Sequence, residues 1–524
     1  MMESDRRRCA LLDLPTPTSL WHSDTETPDR TGSAPPDSDV VVVGAGIAGL
    51  TTACLLARSG QRVTVLEARH VGAGVTGNTT AKVSAQHGLR YAGLGPDRAM
   101  LYADAQVRAL RWIADGAGSG EAGSGAAGST VPDWGFERKD SYVYTTRPDR
   151  REKLAREAEA MRAAGLPAEL VTEVDLPFEV DAAVRLRDQA QFHPQRWLLH
   201  LASQIEASGG SVIEGVRVVN VHSRDGIPTI ETTTDGGETV RTISAGHVVI
   251  ATHYPILDRA LFFTRLDQVR DLVVSGAITG TAPDGMFISV DDGHSLRTPP
   301  GATDRLLVGG GQHRPGARSD EDRLYAELAA WGVENVGLQQ VEHRWSAHDL
   351  TTPDKVPYVG PYLPTSKNLW VATGFNLWGM TNGTAAGHLL HDLILGQADP
   401  ERAALFNPHR VSLEMAPGVL TDQVKVGTHL VGGVVRAALT GHETSELAPG
   451  EGRVSRVGAR AVASYRDDDG TLHEVCGHCT HLGCVVRFND AEKTWDCPCH
   501  GSRFAVDGTV LQGPATKPLA PHEE

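Results

Sequence analysis

After Asp39, Val40-Val41-Val42-Val43 is an unbroken apolar run that stops at Gly44-Ala45-Gly46-Ile47-Ala48-Gly49. A β-branched run with no polar alternation predicts a strand covered on both faces. From Leu50 to Ser59 the pattern turns helical, and Gln61 to Leu66 alternates as a second strand that ends at Glu67. Strand, glycine turn, helix and strand in that order predict a βαβ unit and a parallel sheet. Late in the chain Asn368 to Thr373 reads as another strand, followed by the turn Gly374-Phe375-Asn376-Leu377-Trp378-Gly379-Met380-Thr381 and a helix entering at Asn382 to Gly387. Arg147 to Ala164 is rich in Arg, Glu and Ala, with Leu154 and Met161 as its apolar positions, and predicts a solvated helix.

Between these patterned segments the composition changes. Residues 1–38 carry Arg6-Arg7-Arg8, several prolines and many Ser, Thr and Asp, without the apolar stretch of a secretory signal, and are expected to form a partly disordered arm. Residues 116–130 are a Gly/Ala/Ser run expected as a flexible surface insertion. The chain leaves the βαβ-type pattern after about residue 400, and 443–452 has the polar, Pro/Gly character of a linker. The best candidate for a membrane span, 424–439, is interrupted by Lys425, His429 and Arg436, so no membrane anchor is expected.

The glycine turn has a chemical reading. Gly44 permits the tight turn, Gly46 lets backbone approach a pyrophosphate, and Gly49 lets the helix pack on the sheet. The helix N-terminus offers free N–H groups and a positive dipole end to phosphate. Glu67 is placed to accept hydrogen bonds from a ribose diol. The small-residue loop 71–80, including Thr79 and Thr80, brings backbone close to a flat ring, and Gly374, Gly379, Met380 and Thr381 offer a second set of N–H donors for an isoalloxazine edge. No second GxGxxG unit for a nicotinamide nucleotide is evident.

Length and a hydrophobic content of 40% allow two or three domains with large cores. A formal charge of −16 argues against a nucleic-acid partner, which needs clustered Lys and Arg.

Five of the seven cysteines fall between Cys476 and Cys499, interleaved with histidines as Cys479-Thr480-His481-Leu482-Gly483-Cys484 and Cys497-Pro498-Cys499-His500-Gly501-Ser502. Two thiolates and two neutral imidazoles, from Cys479 with His481 and Cys497 with His500, suit an iron–sulfur cluster whose histidine-bound iron accepts an electron readily. The same donors in tetrahedral geometry form a structural zinc site. The double motif, with its extra cysteine in each loop and trailing Gly-Ser, favours iron.

On these residues the segment from about 446 to the C-terminus resembles a Rieske [2Fe-2S] domain. That resemblance implies Cys479 and Cys497 on one iron, His481 and His500 on the other, and a Cys484–Cys499 disulfide, with Gly513-Pro514-Ala515 as a covering loop. Ser502 matches a position whose hydroxyl donates to a cluster sulfur in high-potential members, whereas Phe504 replaces a tyrosine and cannot donate. A potential below the respiratory type is expected, inside the family range of roughly −150 to +300 mV. Cys476 and His478 are expected to be bystanders.

Residues 39–400 resemble the D-amino-acid oxidase and glycine oxidase superfamily of FAD enzymes. More closely, the segments 79–87, 251–255 and 344–349 resemble bacterial FAD-dependent oxidoreductases with a C-terminal Rieske domain. The implied fold is an α/β (α+β) FAD-binding Rossmann-type domain with an antiparallel-sheet substrate domain, then a connecting segment 401–445 and an all-β Rieske domain 446–524. The implied chemistry is oxidation of an amine or amino-acid C–N bond, with FAD and a [2Fe-2S] cluster as cofactors and a soluble electron-transfer partner. Arg344 is the first candidate for a substrate carboxylate, and His87, His253 and Lys355 are further candidates for substrate or flavin contact, with Trp378 as a pocket wall. Two other readings remain at this stage: electrons entering at the cluster to reduce the flavin, and a redox sensor without turnover. The expected compartment is the cytoplasm, where a disulfide shielded beside a cluster resists the thiol pool.

Overall fold

The computed structural model describes residues 14–117, 134–224, 226–234, 240–410, 447–458 and 460–522. Residues 1–13, most of the 116–130 insertion, the apolar stretch 424–439 and the first part of the 443–452 linker lie outside the described residues.

An eight-stranded sheet is built around Asp37–Val43, which pairs in parallel with Val63–Leu66 on one side and Val240–Ile250 on the other. Leu369–Thr373 joins in parallel beyond Val240–Ile250. Val40, Val41 and Val42 are 0% exposed, which explains the lack of alternation in the sequence: both faces of this strand are covered. The helices Ile47–Arg58 and Gly379–Ile394 pack against each other over this sheet, with Ile47 and Thr51 filling the notches at Gly383 and Gly387. Their close approach brings both helix N-termini to the same side of the sheet.

A nine-stranded sheet forms the second layer, in the order His343–Thr351, Asp267–Ala277, Arg305–His313, Ser295–Arg297, Met286–Ser289, Glu137–Thr145, Ala182–Gln191 and Lys82–Val83, with Ala168–Val171 also paired to Ala182–Gln191. Its pairings are antiparallel except between Met286–Ser289 and Glu137–Thr145. The helix Arg151–Ala163 is less solvated than its composition suggests. Leu154, Ala158 and Met161 are fully buried, and so is Glu157, whose carboxylate accepts from the backbone N–H groups of Arg90, Tyr91 and Ala92 at 2.7–3.0 Å.

Within the expected N-terminal arm, residues 14–36 are packed onto the fold. Trp21 is 1% exposed and donates from Nε1 to Thr79 O at 2.7 Å, while Ser19 Oγ donates to Gly77 O at 2.7 Å. The arm therefore fastens the loop that precedes Thr79 and Thr80.

The C-terminal body has a three-stranded sheet, Gly452–Val457, Arg460–Arg466 and Leu472–Cys476, and a four-stranded one, Arg487–Asn489, Thr494–Asp496, Arg503–Ala505 and Val510–Gln512, all antiparallel. Its core includes Trp495, Phe504 and Val486, each 0% exposed. No helix among the described residues is long and apolar enough to cross a membrane.

Candidate active site and metal centre

The glycine turn opens onto a cavity. Gly44, Gly46, Ile47, Glu67, Thr79, Thr80, Trp378, Gly379 and Met380 all line it, so the two helix N-termini and the loop before Lys82 face one space. A Cβ at Gly49 would sit 2.0 Å from Gly44 O, and one at Gly44 would sit 2.6 Å from Ala251 O. Close backbone packing, rather than flexibility, is what these glycines provide. Glu67 clamps the turn itself: Oε2 accepts from Ala45 N at 2.9 Å and Oε1 from Arg69 N at 3.0 Å. Each oxygen keeps a second lone pair for a diol. Two positive helix ends on one cavity fit a dinucleotide with a diphosphate near one and a flat, reducible ring near the other. Gly49→Ala is expected to abolish FAD incorporation, read as loss of the visible flavin absorbance from purified protein that still binds iron.

Several expected contacts lie elsewhere. Arg344 does not line the cavity: its Nε donates to Pro15 O and its Nη1 to Asp322 Oδ1, both at 2.5 Å, and its guanidinium lies over Tyr325. It holds the N-terminal arm, not a substrate. His87 is buried behind the lining, with Nδ1 at 2.7 Å from Tyr102 Oη, Nε2 at 2.9 Å from Thr381 Oγ1 and its ring stacked on Trp378. Burial pushes it down to about 3, so it stays neutral. Thr381 is in turn spent on Ser84 O at 2.9 Å, and Gly374 approaches Thr352, so neither lines the cavity. Lys355 sits in a turn closed on Thr352 O, away from the lining. His253 does line it, and burial pushes it down to about 4.

The cavity's charged side chains include Lys82, Asp271 and Asp349, beside Gln312 and Ser295. Lys82 and Asp271 come from strands near opposite ends of the nine-stranded sheet, so the sheet wraps the cavity. Lys82 Nζ donates to Thr80 Oγ1 at 3.2 Å, and Arg297 stands behind it, bonded to Ala81 O at 2.8 Å. Burial, reinforced by Arg297, pushes Lys82 down to about 7. Burial pushes Asp271 up to about 7, although Gln312 donates to its Oδ2 at 3.4 Å. Asp349 is likewise pushed up to about 7, and its carboxylate accepts from the backbone of Leu350 and Leu377, which holds the left-handed Asn376-Leu377 turn. Lys82 lay within the 79–87 segment that carried the family resemblance; Asp271 and Gln312 had no local signal.

In the C-terminal body the two Cys/His loops are built alike. Gly483 N donates to Cys479 O at 2.9 Å and Gly501 N to Cys497 O at 3.0 Å, with both glycines in the left-handed region. Cys484 and Cys499 form a disulfide between the loops. The Cys484, Cys497 and Cys499 sulfurs lie within 4.8 Å of one another, but the disulfide consumes two of them, leaving Cys497 as a ligand. Cys479 and Cys497 are free and buried, and the Cys497 thiol bonded to Cys479 holds the latter below the usual thiol range. His481 Nδ1 and both ring nitrogens of His500 are buried without a hydrogen-bond partner. Two free thiols beside two orphaned Nδ1 atoms are the donor set that a Cys2His2-ligated [2Fe-2S] cluster requires. Ser502 Oγ accepts from Ala515 N at 3.0 Å, tying the covering loop down, and its own hydrogen bond to Cys479 lowers that thiol. Cys476 and His478 stand outside this set, His478 Nδ1 lying 3.1 Å from Gly483 O.

The two sites adjoin. Leu511, Gln512, Gly513, Ala515 and Thr516 of the C-terminal body complete the wall of the cavity. Gln268 Nε2 donates to Pro498 O at 2.9 Å, Arg314 Nε to Pro498 O at 3.1 Å, and Arg270 pairs with Asp496 at 2.5 Å. Gly501 is needed at this seam, since a Cβ there would lie 2.3 Å from Gln268 Oε1.

Comparison with known proteins agrees with both halves. The DAO family of FAD dependent oxidoreductases matches residues 39–393, and the Rieske [2Fe-2S] domain matches residues 439–523. The chain is 33% identical over 514 residues to the Rieske 2Fe-2S iron-sulfur protein YhfW of Bacillus subtilis (strain 168), covering 96% of this chain and 97% of that one. Among solved structures it resembles glycine oxidase from Geobacillus kaustophilus (TM-score 0.59, 19% identity, 72% of this chain and 100% of that one). It also resembles L-proline dehydrogenase from P. horikoshii (TM-score 0.59, 19% identity, 72% and 98%). At these identities the two likenesses are of fold.

Proposed function

The chain belongs to the DAO family of FAD dependent oxidoreductases and carries a C-terminal Rieske domain, and from that premise we propose that it oxidises an amine or amino-acid C–N bond and delivers the electrons, through its Rieske centre, to a soluble one-electron acceptor. The observation that carries this reading is the shared wall: Leu511, Gln512, Gly513, Ala515 and Thr516 of the Rieske domain line the same cavity as the glycine turn. FAD supplies a two-electron acceptor for the substrate's hydride, and the cluster supplies a one-electron outlet. A reaction directly with O2 would need no such outlet.

The chain's own residues bind, orient and deprotonate. Lys82, with Arg297 behind it, gives the cavity a cation, and Asp271 and the neighbouring Asp349 give it carboxyl groups, Asp271 within electrostatic reach of Lys82. Asp271, pushed up to about 7, receives the proton that a substrate ammonium must lose before its carbon can release hydride. Lys82 replaces Arg344 as the cation for a substrate carboxylate. Lys82→Met is expected to raise KM for a carboxylate-bearing substrate by about 10- to 150-fold, the loss of one charge-assisted hydrogen bond of roughly 1.5–3 kcal/mol, with a smaller change in kcat. Steady-state kinetics against a matched amine lacking the carboxylate checks the assignment, because that KM should not move.

We place the enzyme in the cytoplasm: Cys484 and Cys499 are 2% and 1% exposed, which shields their disulfide from thiol exchange. The function is tested by anaerobic addition of amines and amino acids to the holoprotein. Bleaching of the flavin followed by the reduced-cluster EPR signal supports it. Rapid reduction by ferredoxin with no amine or amino acid reducing the flavin would reverse the direction of flow.

A further inference from the structure

Eight residues connect the flavin-side cavity to the histidine edge of the cluster site. Ala251, Thr252, His253 and Ile256 line the cavity at the end of the strand Val240–Ile250. The segment then runs past Tyr254, which is 2% exposed and whose ring lies 6.2 Å from that of His500. It ends at Asp258, whose Oδ1 accepts from His481 Nε2 at 2.9 Å, across 223 residues of sequence. Phe263, just beyond, packs its ring 5.7 Å from His500 and 6.3 Å from His481.

The segment is held at every step. Ala251 N donates to Val43 O at 2.9 Å, Thr252 Oγ1 to Tyr254 O at 2.7 Å, Thr373 Oγ1 to His253 O at 2.5 Å, and Tyr362 Oη to Leu257 O. His481 is a proposed iron ligand through its orphaned Nδ1, so its Nε2 is the outward nitrogen of that ligand. Its side chain is 6% exposed, and the group it meets is a carboxylate from the flavin-binding body rather than water. A hydrogen-bonded carboxylate on the far nitrogen of a ligating imidazole fixes the ring and increases its donation to the metal.

We propose that Asp258 is the positioning residue that seats the cluster's histidine edge against segment 251–258, making that segment the route by which electrons pass between the two cofactor sites within one chain. The inference rests on the proposed function only in requiring exchange between the sites, in either direction. With both groups bound, each passage towards the cluster would take one electron from reduced FAD, whose proton would leave to solvent, and would turn one ferric iron ferrous; the shared proton would stay between His481 Nε2 and Asp258. Two passages clear the two electrons of one substrate oxidation, each ending on the external one-electron acceptor. The carboxylate's negative charge also stabilises the oxidised cluster, so removing it shifts the reduction potential upward.

The test uses the full-length holoprotein and photochemical reduction of the flavin, so that it does not depend on knowing the substrate. Asp258 is half exposed, and Asp258→Asn and Asp258→Ala are expected to keep wild-type iron content and flavin absorbance. Both should show a raised cluster potential and altered EPR g-values, and Asp258→Ala should slow flavin-to-cluster transfer at least tenfold. Asp258→Glu should recover the potential and part of the rate. Wild-type potential and transfer rate in Asp258→Ala overturn the proposal. A failed amine screen with intact photochemical coupling instead removes the substrate reading and leaves this one standing.

Discussion

Asp496→Ala is expected to cost roughly 3–5 kcal/mol and to let the Rieske domain separate from the flavin-binding body, because it strips the anion from the buried guanidinium of Arg270 and the part-buried one of Arg503. Asp496 Oδ2 accepts from Arg270 Nη1 at 2.5 Å and Asn489 Nδ2 at 3.2 Å, and Oδ1 from Thr494 Oγ1 at 3.0 Å and Arg503 Nε at 3.2 Å. The Arg270 and Asp496 side chains are 1% and 2% exposed, and Arg270 Nε and Nη2 have no hydrogen-bond partner. Arg270 belongs to the flavin-binding body and Asp496 to the Rieske domain, so this buried pair joins the two. The truncations are not equivalent. Arg270→Met leaves Asp496 with Arg503, Asn489 and Thr494 as donors, and should cost on the order of 1–3 kcal/mol. Asp496→Ala leaves Arg270 charged, buried and without an acceptor among the described residues. Urea unfolding followed by cluster absorbance and flavin fluorescence separates the cases: the cluster transition should move to lower urea in both variants, further in Asp496→Ala. Equal and negligible shifts would mean that water reaches the pair in solution.

The structure explains which of these features could be read from sequence. Gly44 to Glu67 was legible because the whole device is local: strand, turn, helix and second strand follow one another, and Gly49 meets Gly44 within the same turn. The Cys/His loops were legible for the same reason, since each closes on itself through a glycine four residues after its first cysteine. Arg344 misled because an arginine's role is set by what it meets, and its partners are Pro15, 329 residues away in the arm, and Asp322 at the start of the preceding helix. His87 misled similarly, its partners being Tyr102 and Thr381. Asp271 and Gln312 gave no signal, because they become a site only when Asp267–Ala277 pairs with Arg305–His313 and the sheet closes on Lys82 from its other end. The arm's composition suggested disorder, yet Trp21 docks it by burying a large ring on Arg297 and Thr79, with Ser19 and Pro15 bonded on either side. Domain docking was the least legible of all, since Asp258 and His481 are 223 residues apart and belong to different bodies.

Asp271→Asn is expected to reduce kcat/KM by about 10²- to 10⁴-fold at neutral pH, the usual contribution of a positioned general base. The wild-type profile carries the more specific signature. Asp271 is pushed up to about 7 by burial and Lys82 down to about 7 by the same cause, so the base gains its charge over the pH range in which the cation loses its own. In the free enzyme kcat/KM should therefore rise and fall as a narrow bell centred near pH 7. A bound substrate that places an ammonium near Asp271 and a carboxylate near Lys82 favours both charged forms, which lowers the first pKa and raises the second. The kcat profile should be broader than that of kcat/KM on both sides, and the acid limb should vanish in Asp271→Asn. Stability separates this loss from misfolding. A carboxyl whose folded value lies above its ordinary 3.8 keeps its proton in the native state after the unfolded chain has released it, so Asp271 costs stability progressively from about pH 4 to pH 7 and fully above that. Asp271→Asn removes that cost, and thermal melts above pH 7 should show a variant more stable than wild type although its turnover has largely gone. A variant that is both inactive and less stable at pH 8 would sink the assignment of Asp271 as the base.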